Sequence, residues 1–220
     1  MRRFLRDNSL SITMFGLFVV FVTAQSVAGL FDYNSTQMEH GRPPVGYVQY
    51  LRSGDFVEAV FENWESEFLQ IGSYVVLTAY LYQRGSAESK DPDAEDPDAA
   101  YGEDQRRADA PWPVRRGGLA LKIYENSLGI ALLAIFVFSF ALHVIGGAEA
   151  YSQEQVEHGE APVSTLQYLG TSRMWFESFQ NWQSEFLAIG AMVVLSIYLR
   201  QRCSPESKPV AAPHTKTGSG

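Results

Sequence analysis

Two histidines of this chain stand in the same local setting. Glu39-His40-Gly41 lies within QMEHGRPPV (37–45), and Glu157-His158-Gly159 lies within QVEHGEAPV (155–163). An imidazole and a carboxylate from each copy, brought together, would make a nitrogen and oxygen donor set suited to zinc, iron or manganese. The same groups could relay a proton or bind a ligand. A structural role competes with both. Gly41 and Gly159 can take a positive φ after the histidine, and Pro44 and Pro162 then enforce an extended exit. Neighbouring residues seldom both reach one metal, so a turn or a contact between the copies is the expected role. Whether a metal binds stays open.

Two further sets qualify as candidate polar sites. Asn63 and Glu67 are four residues apart, on one helix face, and Asn181 and Glu185 repeat the arrangement. A carboxylate at the edge of an apolar run must face other helices or water. The adjacent Glu62 and Glu65 have Gln180 and Gln183 as counterparts, whereas Glu67 has Glu185. This marks Glu67 as the retained acid and its neighbours as solvated. The third candidate is His143, a lone histidine in an apolar segment. Its counterpart is Gln25, which points to a shared interhelical hydrogen bond.

The elements that carry these residues are apolar and long. Asn8–Phe31 contains an uncharged core from Leu10 to Leu30, about the 20 residues that cross a bilayer. Arg2, Arg3 and Arg6 precede it, as in a signal peptide. The apolar region is too long for one, and the run starting at Asn126 aligns with it inside the chain. Phe68–Tyr82 and Phe186–Leu199 are shorter runs. Each continues a stripe at 4-3-4-3-4 spacing, Val57 to Val75 and Trp175 to Val193, which predicts one helix of about 27 residues in each case. Such a helix exceeds the hydrocarbon core, so its first turns should project from it. Trp64 and Trp182 then fall where interfacial anchors would sit. Basic residues cluster beside both termini and in the centre of the chain. The Glu-His-Gly side has only Arg42, Arg52 and Arg173. Both termini are therefore expected in the cytoplasm and both Glu-His-Gly loops outside it.

Asn8–Lys90 aligns without a gap on Asn126–Lys208 at an offset of 118, with 37 identities in 83 positions. The expected organisation is a membrane repeat over residues 1–90, a disordered acidic linker over 91–121, a second repeat over 122–208 and a disordered tail over 209–220. The expected fold is all-α, with four transmembrane helices as two parallel two-helix repeats bearing extracytoplasmic amphipathic segments. The repeated motifs, above all FENWESEFLQIGSYVVLTAYLYQRGSAESKDP (61–92), resemble a family of bacterial membrane proteins known only as a domain of unknown function. The resemblance covers nearly all of the chain except the linker and tail. It implies a bacterial inner-membrane protein and brings no activity, cofactor or catalytic residue.

Composition narrows the function further. A net charge of −8 argues against a nucleic-acid partner, and the single cysteine, Cys203, rules out an intramolecular disulfide and cysteine-rich metal sites. The chain lacks a glycine-rich phosphate loop, GxSxG and HExxH. The expectation is a non-enzymatic accessory or scaffold protein without a cofactor. Its partners would be the lipid bilayer and a second copy of itself or a larger membrane complex. The alternative is a small ion or solute transporter or channel with a polar site between the repeats.

Overall fold

A computed structural model describes residues 2–94 and 107–218. The described residues form helices and turns, with no strand. In chain order the helices are α1 (Arg2–Asp7), α2 (Ser9–Glu39), α3 (Tyr47–Tyr50), α4 (Gly54–Tyr80), α5 (Trp112–Arg116), α6 (Gly118–Glu125), α7 (Ser127–Glu157), α8 (Thr165–Leu169) and α9 (Ser172–Tyr198). The two 31-residue helices α2 and α7, and the two 27-residue helices α4 and α9, begin and end at positions 118 apart. The 4-3-4-3-4 stripes thus lie on helices of 27 residues, as their spacing predicts. α2 and α7 are long and apolar enough to cross a membrane, and only 6% and 17% of their apolar windows are buried. That exposure is the reverse of what a core helix of a water-soluble protein shows.

The chain divides into two compact units. The first comprises Met1–Phe61 and Ala141–Met174. Here α2 and α7 each meet a one-turn helix through a glycine. The ring of Tyr50 lies over Gly29, and that of Tyr168 lies over Gly147, so tightly that a Cβ at either glycine would overlap the phenol. Tyr50 and Tyr168 are both buried. Gly54 and Gly146 bring the backbones of α4 and α7 into contact, each filling space a side chain would need. The loops before the one-turn helices are pinned alike. Asn34 holds both backbone polar groups of Val45 through its side-chain amide, and the Ser152 hydroxyl does the same for Val163. Ser53 and Thr171 hydroxyls then accept from the Phe56 and Met174 amides, capping α4 and α9.

The second unit comprises Glu62–Phe140 and Trp175–Gly220. Small residues again set the helix spacing: Gly72 faces Leu132, and Gly129 faces Val76. Polar side chains tie α4 to α9. Asn181 donates to Glu62 at 2.6 Å, the Trp182 indole to Glu65 at 3.0 Å, and Gln70 to the Glu185 carbonyl at 3.2 Å. Phe136, Phe140, Trp175, Phe179 and Trp182 pack edge-on and tilted around these bonds.

Two segments expected to lack structure are ordered where described. In the linker, residues 112–116 are helical, and a helix that starts at Gly118 runs on into the second repeat as far as Glu125; residues 95–106 lie outside the described residues. In the tail, the carbonyls of Pro213, His214 and Lys216 accept from the buried ammonium of Lys208, which also donates to the Gly85 carbonyl. Thr217 accepts from the Gly85 amide. The linker helices are too short to stand out from an acidic, Pro/Ala-rich composition, and the tail is held by long-range polar contacts that composition does not encode.

Candidate functional site

Each Glu-His-Gly segment ends a helix. The Nδ1 atoms of His40 and His158 lie 2.8 Å from the carbonyls of Thr36 and Glu154, four residues back. Gly41 and Gly159 adopt φ of 72° and 78°. The next amides, Arg42 and Glu160, return to the carbonyls of Gln37 and Gln155 at 2.8 Å. This is the left-handed helix terminus that glycine permits. One ring nitrogen of each histidine is thereby committed to the backbone.

The two termini nonetheless converge. His40 Nε2 lies 3.6 Å from Glu157 Oε2, and the Arg42 guanidinium donates to Glu157 Oε1 at 2.6 Å. Glu157 is the more buried partner of both ion pairs. His40 and His158 share one cleft of about 720 Å³, whose lining residues all belong to the first unit and come from both repeats. Glu39 is exposed and is not part of the lining.

The cleft is strongly acidic. Asp32, Asp55, Glu58, Glu154 and Glu157 line it, against Arg173 as the one permanently charged cation of the lining. Tyr33, Tyr50 and Tyr151 supply its aromatic surface. Several of these groups are held in place. The Tyr168 hydroxyl donates to Glu58 at 3.2 Å, Arg173 donates to Glu154 at 3.4 Å, and Gln37 donates to the Tyr33 oxygen at 3.0 Å. Burial pushes the Asp55 carboxyl above its ordinary value, and Glu149 and Glu157 add to the rise. Burial also raises the Tyr33 and Tyr50 phenols, reinforced by Asp55. The Oδ2 atom of Asp55 is buried and makes no hydrogen bond among the described residues. A site of this chemistry favours a positively charged group, through carboxylates and aromatic faces together.

The remaining candidates, His143, Asn63, Glu67, Asn181 and Glu185, are not in the cleft lining, although Gln25 and Glu58 are. His143 is fully buried on α7, with a ring nitrogen within 4.8 Å of a Glu58 carboxylate oxygen. Its counterpart Gln25 donates to the Ala59 carbonyl of α4 at 3.4 Å. Asn63, Glu67, Asn181 and Glu185 belong to the second unit and take no part in the cleft. The ranking of the acids is reversed: Glu67 is exposed, whereas Glu65, read as solvated, is fully buried under the Trp182 indole. Trp182 is half-exposed and packs edge-on against Phe136 and Trp175. Glutamine can accept the same kind of hydrogen bond as glutamate, so the difference between Glu65 and Gln183 carries no information about solvation.

Asp32, Asp55, Glu58, Glu154 and Arg173 were not anticipated. Their repeat counterparts are Ala150, Arg173, Phe176, Thr36 and Asp55, so self-comparison hides them. Tyr33 and Tyr151 are identical at equivalent positions, and that signal was available. A family model described as a domain of unknown function (DUF6766) matches residues 1–219, and the chain belongs to that family. No curated protein and no solved structure matches the chain.

Proposed function

We propose that this member of the DUF6766 family is a four-span protein of the bacterial inner membrane. It acts as a non-enzymatic accessory or scaffold component, and its outer acidic cleft docks a cationic group of a partner subunit. The observation that carries the reading is the cleft itself, to which both repeats contribute carboxylates and tyrosines. Several features support four spans. Besides the two long apolar helices, α4 exposes Val76, Leu77 and Tyr80, and α9 exposes Leu187, Val194 and Leu195, all in their second halves. The Arg and Lys distribution supports cytoplasmic termini, with the Glu-His-Gly turns on the opposite side. The interhelical bonds of Glu62, Glu65 and Gln70 favour a fixed frame over a permeation path.

Native mass spectrometry of the full chain from mild detergent tests the proposal. A defined assembly is expected. It should shift toward monomer when Asp55, Glu154 and Glu157 are replaced by Asn, Gln and Gln. A clean monomer for both proteins would sink the docking role. Uptake into proteoliposomes that depends on Glu67 and Glu185 would instead favour transport.

A further inference from the structure

Both repeats open with Asn-Ser-Leu, and in both the asparagine does the same thing. The Asn8 side-chain amide donates to the Phe4 carbonyl at 2.8 Å, and that of Asn126 to the Lys122 carbonyl at 2.9 Å. Each asparagine leaves helical geometry, with φ/ψ of −119°/16° and −111°/6°. The amide of the residue four positions later still bonds its carbonyl. A short helix is thereby set off from the long apolar one without breaking the chain of hydrogen bonds. A side chain competing for the i−4 carbonyl is a recognised cause of such a break.

The two short segments share a composition. α1 carries Arg2, Arg3 and Arg6 around exposed Phe4 and Leu5. Residues 112–125 carry Arg115, Arg116 and Lys122 around exposed Trp112, Leu119, Ile123 and Tyr124. At 100° per residue, Leu119, Ile123 and Tyr124 occupy one arc of α6, and Lys122 and Glu125 flank it. Leu121, at one side of that arc, is buried. The Arg116 guanidinium stacks over the Trp112 ring at 5.0 Å. Gly117 and Gly118 separate α5 from α6 with φ of 67° and 61°, and a Cβ at either would meet open space. Those glycines serve backbone conformation alone and set the turn between α5 and α6.

We infer that these Asn-delimited basic helices, α1 and α5–α6, lie on the membrane surface and engage anionic phospholipid headgroups. The inference rests on the membrane reading above. Charge and position favour this occupant. Arg3 and Arg6 share the single carboxylate of Asp7, and Glu125 is the one acid of residues 112–125, so each segment keeps a net positive charge beside aromatic and aliphatic side chains, matched to a negative surface. The segments are continuous with the apolar helices α2 and α7, which puts their exposed Trp, Leu and Ile at headgroup depth.

The test uses the full chain in nanodiscs, with Cys203→Ser as background and single spin labels at Leu119→Cys, Ile123→Cys and Val137→Cys. The label at 137 reports the span itself. It should be accessible to oxygen and shielded from a water-soluble nickel reagent in every lipid. Labels at 119 and 123 should move from a water-exposed to an interfacial signature when phosphatidylglycerol is added to phosphatidylcholine. Arg115→Gln/Arg116→Gln/Lys122→Gln, all surface changes, should lower the interfacial-to-aqueous ratio on the order of 100-fold, from three cationic side chains. Labels at 119 and 123 equally water-exposed in both lipids, with 137 shielded, would overturn the lipid inference and leave the membrane reading standing. A water-exposed label at 137 would overturn both.

Discussion

The Gly147–Tyr168 contact makes a demanding prediction, because helix propensity and packing pull in opposite directions there. Gly147 lies inside α7, where replacing glycine by alanine ordinarily gains roughly 0.5–1 kcal/mol. A Cβ at this position would stand 2.5 Å from the Tyr168 Oη and 2.7 Å from its Cε1 and Cζ. Those are rigid ring atoms, and the ring is fully buried. Overpacking of this kind costs about 1–3 kcal/mol. Swinging the ring aside also gives up the hydrogen bond to Glu58, worth about 1 kcal/mol or more for a charged acceptor. Gly147→Ala should therefore be a net loss of roughly 1–3 kcal/mol. For a chain of this size that lowers the melting midpoint by several degrees, on the order of 2–4 °C per kcal/mol. Gly16→Ala is the control. Nothing lies within 4 Å of its added Cβ, so it should melt at or above the parent. The two repeats should also differ in rescue. At Gly29 the clash centres on the Tyr50 hydroxyl, so Tyr50→Phe should recover much of the loss in Gly29→Ala. At Gly147 ring carbons clash as well, and Tyr168→Phe should recover little. Thermal unfolding in detergent, followed by the folded peak on size exclusion, reads all five variants. Gly147→Ala melting with Gly16→Ala, above the parent, would refute the packing argument.

Other consequences follow from the same geometry. Asp55 has its carboxyl raised by burial, so its contribution to stability is complete below the ordinary value of 3.8 and is lost as pH rises through the shifted one. Asp55→Asn should melt higher than the parent near neutral pH, with the gap closing below about pH 4; a lower neutral melting point would contradict this. Gly41→Ala and Gly159→Ala meet no neighbouring atom and should each cost about 1–2 kcal/mol through backbone strain alone, equally in both repeats by the same melting assay. Glu65→Gln keeps an acceptor for the Trp182 indole and should be tolerated. Glu65→Leu strands that donor and should cost roughly 1–3 kcal/mol, visible also as a shift in tryptophan emission.

Elements that obey local rules were legible from sequence. The 4-3-4-3-4 stripes gave α4 and α9 their length, and Glu-His-Gly followed by proline gave the two helix termini. Long-range pairing was not legible. Glu65 and Glu67 are two residues apart on one helix, and only the position of α9 decides that Glu65 is buried. The cleft escaped for a related reason. Its charges break the repeat: Asp55 faces it from one copy, and Arg173, the equivalent residue, from the other. Comparing the halves finds what they share, and this cleft is lined partly by what they do not.

The paired lysines at the ends of the repeats carry that point further. Lys90 and Lys208 close the same Ser-x-Glu-Ser-Lys turn. In each turn the second serine accepts from a helix-end amide, Gln83 or Gln201, at 2.9 Å. Lys90 remains at the surface, with its ammonium on the Ala79 carbonyl. Lys208 has been drawn inward and is solvated by backbone carbonyls in place of water. Of two lysines closing the same turn, Lys208 alone became a peg, and the segment from Pro213 to Lys216 hangs on it. A fusion partner appended there would pull directly on that peg, whereas one inserted after Lys90 would not.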